Sequence, residues 1–493
     1  MLAPALSFDR SKELFARAQE TVAGGTTQGK APNTLIPGEY PIYAARGRGA
    51  NLWDVDGNRF LDWILAYGII VLGYCDPDVD AAAIREIRDG FAFPLTRPVQ
   101  NELAELLVEV IPCAEMVHFF KTGSDTTTAA VRLARIVTGR DKIVRWGYNG
   151  WHDWCCTREA GIPRHVREDV LTFRYNDLDS LADILKRHRD QVACVIMMPL
   201  EIEPPRPGFL AGVKDLAHQH GALFILDEMR SGFHLALGGA QEYYGVTPDL
   251  ATFSKAMSNG YAMSVLAGRR ELMQALSHTY VSSTFFTNSI SMAAAVATIN
   301  KLRREQVIPH LWRIGRGLMD GLDRLARDLG VEAQAVGLPP MPFLVFTYPA
   351  PEVRETAKHV FYRETTRRGL LFHPNHHWFV CAAHTEQDLA HTLETSEAAF
   401  RAVKEELARG YRAPTSQQIA VTVSTELDAT KKMGRQIDGV WGGSGFSGFS
   451  ALLLPEGRPF AGPTLKLLVS GFDVPDPPLA SSPPHPALSR LSR

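Results

Sequence analysis

ATFSKAMSNGYAMSVLAGRR, residues 251–270, puts a lysine in an unusual position. Lys255 closes the short apolar and hydroxyl run LATFS, and small residues follow it: Ala256, Ser258, Gly260 and Ala262. LATFS and SVLAG read as two short strands, so the lysine stands at a strand end where the backbone needs room. An ordinary lysine keeps its ammonium in water, because burying the charge is costly. A lysine that acts as a nucleophile must lose its proton, and partial desolvation favours that. The surrounding chain decides between the two.

Outward from this stretch, between about residues 100 and 300, helical patterns alternate with short apolar runs. NELAELLVEVI, DTTTAAVRLARIV, LDSLADILKRH and VKDLAHQHG have helical spacing. MVHFF, KIVRWG, ACVIMM and ALFILDE read as strands between them. This alternation predicts an α/β fold with a mostly parallel sheet flanked by helices. Ligands of such sheets sit at the carboxyl ends of the strands.

Four pieces converge there. Thr122-Gly123-Ser124 lies between MVHFF and the next helix. A helix N-terminus with small residues can cradle an anion, and Ser124 and Thr126 can add hydroxyls. The plainer alternative is a capped helix. Tyr148 follows KIVRW in a loop that also holds Trp151, His152 and Trp154. Its ring can stack on a flat ligand or simply pack under a loop. Asp227 ends the apolar run ALFILD, where a carboxylate must be paired or hydrogen-bonded to stay ionised. It suits a protonated ring nitrogen, or a cap for the following turn. Glu228, next to it, points to the other side of the strand. Lys255 is the fourth, with a snorkelling surface lysine as its alternative. An anion cradle, a stacking face, a carboxylate for a pyridinium and an amine for a Schiff base together are what pyridoxal 5'-phosphate requires.

The same residues resemble the class III, fold-type I pyridoxal-phosphate aminotransferases, and within them the branch containing glutamate-1-semialdehyde 2,1-aminomutase. The likeness runs from about Ser11 to about Arg401. SKELFARAQETVAGG, LWDVDGNRFLDW, TGSDTTTAAVRLARIVTGRDKIV, LDEMRSGF, SKAMSNGYAMSVLAGRRELM and AAHTEQDL carry it. The resemblance implies that Lys255 forms the Schiff base and shuttles the proton, and that Asp227 pairs with the pyridine nitrogen. It further implies that Gly123 and Ser124 hold the phosphate, that Tyr148 stacks on the ring and that Met229 lies behind it. Thr284, in SSTFFTNSISM, would reach the phosphate of a neighbouring subunit in a homodimer with shared sites. The implied substrates are an amine or amino acid and a keto acid or aldehyde, in a ping-pong cycle.

Departures fall beside the cofactor set. The stacking loop reads Tyr148-Asn149-Gly150 where the family has Tyr-His-Gly, and Met229 stands where many members have Val. Met198-Pro199-Leu200 replaces Glu-Pro-Val. GGTTQGKAPN and HPNHHWFVCA replace the aminomutase's substrate segments. An intramolecular aminomutase and a non-catalytic protein that kept the fold therefore remain as alternatives. Arg97, Arg158, Arg206 and Arg230 are equal candidates for a substrate carboxylate. His373, His376 and His377 cluster in HPNHHW. With no Cys or carboxylate at ligand spacing, a pocket or packing role is preferred to a metal.

The expected division is an N-terminal segment (1–66), a large domain (67–300), a smaller α+β domain (301–410) and a tail rich in Gly, Ser and Pro (411–493). In the first segment SKELFARAQE predicts a helix capped by Ser11, and ANLWDVDGNRFLDW a hairpin turning at Asp56-Gly57. In the third, PFLVFTY and WFVCAA predict strands. With a net charge of −2 over 493 residues, nothing favours nucleic acid or membrane surfaces. Six cysteines without CxxC spacing fit a reducing, cytoplasmic setting.

Overall fold

A computed structural model describes residues 3–27, 36 and 38–413. They lie within one compact unit, Met1–Ala429. The tail expectation, from residue 414 onward, and residues 28–33 of GGTTQGKAPN fall outside the described residues.

Three strands open the chain: β1 (Ala44–Arg48), β2 (Asn51–Asp54) and β3 (Arg59–Asp62). The expected hairpin is β2–β3, paired antiparallel. Seven more follow: β4 (Met116–Phe120), β5 (Lys142–Trp146), β6 (Val170–Thr172), β7 (Val192–Met197), β8 (Leu223–Asp227), β9 (Leu250–Phe253) and β10 (Ser264–Gly268). They form one sheet in the order β4-β10-β9-β8-β7-β5-β6. Only β10 runs against the rest. β11 (Ala333–Leu338) and β12 (Met341–Phe346) make a separate antiparallel pair. The two-residue β13 (Leu370–Leu371) joins β3 in a four-stranded sheet.

The central strands explain their own placement. β7 and β8 are buried along their whole length, as strands covered on both faces must be. Alternate residues feed opposite layers. Ile143, Cys194, Ile196 and Ile225 pack in a cluster with Ala130, Leu133 and Ala134 of the helix Gly123–Thr138. Val144, Val195, Met197, Phe224 and Leu226 pack instead with Leu181 and Leu185 of Leu178–Arg187 and with Leu210 and Val213 of Phe209–Gln219. Helices thus cover both faces of a mostly parallel sheet.

Two local expectations need correction. Ser11 does not cap the first helix, which spans Asp9–Thr21 with Ser11 buried inside it. The free N–H groups are met from the hairpin: the Asp56 carboxylate accepts from Arg10 N at 2.6 Å and Ser11 N at 3.0 Å. WFVCAA is not a ladder strand. It does run antiparallel to β12's entry, with Trp378 N donating to Pro342 O and Val380 N to Pro340 O. The return bonds would have to come from the prolines, which have no N–H. The intervening N–H groups go elsewhere, Phe379 N to Trp63 O and Ala382 N to Val71 O. The segment is therefore buried, extended and bonded on both sides without forming a ladder.

Candidate active site

The carboxyl ends of β4, β5, β7, β8 and β9 open on one cavity of about 200 Å³. Its walls are Gly123 and Ser124 after β4, Tyr148 to Gly150 after β5, Met198 after β7, Asp227, Met229 and Arg230 at β8, and Ser254 and Lys255 after β9. Of the seven residues singled out from sequence, six line it. Thr284 does not: it sits on an exposed turn of its own chain.

The helix Gly123–Thr138 starts in a reciprocal cap. Thr122 Oγ1 accepts from Asp125 N, and the Asp125 carboxylate accepts from Thr122 N at 3.1 Å. Two of the helix's free donors are consumed there, while Gly123 and Ser124 at its first two positions line the cavity. Positive dipole and free N–H groups suit a phosphate. Crowding keeps this end narrow. A Cβ on Gly150, whose φ is +126°, would come within 2.6 Å of Ser124 Oγ, and one on Gly123 within 2.9 Å of Met229 Sδ. Thr126 departs from expectation. Its hydroxyl is buried and spent on Ser264 Oγ at 2.8 Å and Thr122 O at 3.1 Å, tying the helix start to β10.

Tyr148 stays 56% exposed, so a ring face is available to a ligand. Trp151, His152 and Trp154 turn away from the cavity. His152 Nδ1 and Trp154 Nε1 both bond Thr128 Oγ1 at 2.8 Å. Asn149, which sequence marked only as a departure, proves central. Its Nδ2 donates to Asp227 Oδ2 at 2.8 Å.

Asp227 is buried and receives three hydrogen bonds, the others from Met229 N (3.2 Å) and Thr252 Oγ1 (3.3 Å). Burial raises its pKa, and these donors and the Lys255 charge oppose that. It forms no ion pair with a described residue. Glu228 points the opposite way, as strand geometry demands, and accepts from Ser231 Oγ, Ala240 N and Gln241 N.

Lys255 leaves β9 with a left-handed backbone, φ +48°, which is uncommon for a side chain with a Cβ. Its Nζ donates to Tyr67 O at 3.1 Å. Desolvation, then the Arg230 charge, lower its pKa to about 7, and Asp227 partly offsets them. Tyr67 had no signal in the sequence, because its contribution is a backbone carbonyl from a distant segment. Leu65, Ala66 and Tyr67 in that segment all have positive φ. His373 and His376 pack edge-on to the Tyr67 ring, and His377 reaches Arg230.

A buried carboxylate without a cation and a poised amine share one cavity with a helix N-terminus. That donor set fits a protonated ring nitrogen, an aldehyde and a phosphate. The fold and this arrangement define a fold-type I pyridoxal-phosphate enzyme.

The comparisons with known proteins place it further. The family description "Aminotransferase class-III" matches residues 37–338. The chain is 42% identical over 414 residues, 82% of its length and 100% of the relative's, to a 3-aminobutyryl-CoA aminotransferase of Cloacimonas acidaminovorans. It is 33% identical over 423 residues, 80% of its length and 99% of the relative's, to a glutamate-1-semialdehyde 2,1-aminomutase of Desulfatibacillum aliphaticivorans. Among solved structures, the FumI protein of Sphingopyxis sp. MTA144, in its PLP internal aldimine form, is 31% identical with a TM-score of 0.78, covering 81% of this chain and 97% of that one. A β-phenylalanine aminotransferase from Variovorax paradoxus is 26% identical with a TM-score of 0.71, covering 79% and 93%. The chain belongs to the class III aminotransferases, enzymes that use pyridoxal phosphate to move an amino group between amine and keto acid substrates. No helix among the described residues is long and apolar enough to cross a membrane.

Proposed function

We propose that Lys255 is the reacting amine of this aminotransferase and Asp227 the carboxylate that keeps the cofactor ring protonated. One observation carries the reading: the two groups line the same cavity, and neither forms an ion pair with a described residue. The cofactor, when bound, supplies the electron sink that makes the substrate's C–H acidic. Lys255 Nζ would hold the cofactor at its aldehyde carbon, with loss of water. Freed by a substrate amine, Nζ would take the proton from the amine-bearing carbon and give it back. Burial lowers its pKa to about 7, toward the neutral form that a base at that pH needs. Asp227 holds the ring nitrogen's proton, steadied by Asn149 and Thr252. Gly123 and Ser124 would bind the phosphate, and Tyr148 and Met229 would flank the ring.

The substrate class follows the names of two similar proteins. Both the 3-aminobutyryl-CoA and β-phenylalanine aminotransferases are named for an amine at the carbon β to an acyl group. We extend that class to this chain, with a keto acid as acceptor. The working form is a homodimer in which Thr284 reaches the partner's phosphate site. Its exposure on a surface turn supports this, as do the nearby exposed Tyr280 (84%) and Phe285 (68%), apolar surface that a second copy would cover. The division into a large domain (67–300) and a smaller one (301–410) is proposed with it, supported by the separation of the seven-stranded sheet from the β11–β12 pair. Six free cysteines fit a cytoplasmic setting.

Borohydride reduction of cofactor-saturated protein, followed by peptide mapping, should mark the peptide holding Lys255. Lys255→Ala should lose the mark and at least about 1000-fold in amino transfer. A mark on another lysine overturns the assignment. Conversion of one substrate with no added acceptor would favour the aminomutase alternative.

A further inference from the structure

The cavity's arginine has no ion-pair partner among the described residues. Arg230 lines the wall it shares with Lys255 and forms no ion pair with any described residue. Its Nη1 meets His377 Nδ1 at 3.2 Å, and its Nε is buried without a partner. His377 is itself buried, and its Nε2 is also unpartnered. Burial, then the Arg230 charge, pull the His377 ring down to about 3. It is therefore neutral at physiological pH, accepts from the guanidinium and adds no positive charge. The nearby carboxylates are committed elsewhere. Asp227 is held by Asn149, Met229 N and Thr252, and Glu228 by Ser231, Ala240 and Gln241. Glu201, whose field reaches Arg230, is exposed.

A partly buried guanidinium with an unsatisfied N–H edge is unfavourable until an acceptor arrives. Its planar fork matches a carboxylate better than any other small acceptor. The other three arginine candidates are outside the cavity. Arg97 is bonded to Glu86 at 3.2 Å, and Arg158 and Arg206 are exposed.

We propose that Arg230, steadied by His377, binds the carboxylate of the keto acid acceptor and so presents its carbonyl carbon to Lys255. The proposal names the acceptor's anchor and rests on the assignment of Lys255 as the reacting amine.

The test uses holoenzyme already charged with an amino group by a donor amine. Its discharge by pyruvate is compared with discharge by acetaldehyde, which lacks the carboxylate. Arg230→Gln should cut the preference for pyruvate about 100-fold, and Arg230→Lys should restore part of it. A second readout needs no turnover: propionate, an unreactive carboxylate, is titrated into holoenzyme by calorimetry. Its affinity should fall by a similar factor in Arg230→Gln. Unchanged pyruvate preference with unchanged propionate binding overturns the proposal. So does a variant that only loses cofactor, since Arg230 would then serve an oxygen of the cofactor itself. Borohydride mapping is run on the same samples. A mark away from Lys255 refutes the assignment of the amine, whereas a mark on Lys255 with a null propionate result refutes the anchor alone.

Discussion

At Lys255 the physical chemistry comes down to where one proton resides. The amine's pKa in the fold, about 7, lies below its ordinary value. Between those two pH values the unfolded chain holds the proton and the folded chain does not. The cofactor-free protein therefore gains stability as pH rises through that window, and below it carries the burden of a desolvated ammonium. The rate at which cofactor-free protein captures pyridoxal phosphate should rise and level off through pH 7. A rate still climbing toward pH 10, as for a free lysine, would contradict this. Lys255 and Asp227 were legible because each is a charged residue ending an apolar run, a conflict with plain packing that calls for an explanation. Arg230 was visible only as one of four arginines. What sets it apart is a contact with His377, 147 positions away, and no local pattern encodes that.

Among the elements, those with strong periodicity matched their expectation, and the misreadings came where a distant partner supplied the hydrogen bonds. Ser11 had the chemistry of a cap, but Asp56 took the role from across the hairpin turn. Asp56→Ala should destabilise the protein by about 1 kcal/mol, the usual worth of a cap. Hydrogen exchange should quicken at the amides of residues 10–14 and stay unchanged in β7 and β8. Loss of protection in the central strands instead would show that the first helix is coupled to the whole fold. WFVCAA was read as a strand because its residues are apolar and extended, which is true of its conformation. Whether neighbouring N–H groups exist to complete a ladder depends on Pro340 and Pro342, and that pairing is tertiary. Thr126 was a candidate donor for a similar reason: its hydroxyl looks free until Ser264 of β10 comes beside it.

For the whole molecule, alternation of helices and strands was enough to give the sheet and to say which edge carries ligands. Which strand lies beside which was not readable, because the order β4-β10-β9-β8-β7-β5-β6 is set by packing between layers. The proposed shared-site homodimer makes a quantitative demand at this scale. Thr284→Ala and Lys255→Ala homodimers should each be impaired, the first in cofactor retention and the second in turnover. A mixed dimer of the two should regain one intact site, and with it about half the wild-type turnover per dimer. Mixed dimers no better than their parents would place Thr284 outside the site. The left-handed turn at Leu65–Tyr67 brings a backbone carbonyl to the amine. The lysine's hydrogen bond is to a main-chain oxygen, so no exchange of the Tyr67 ring can delete it. The ring at that position can therefore vary, with its packing on His373 and His376, while the amine keeps its berth.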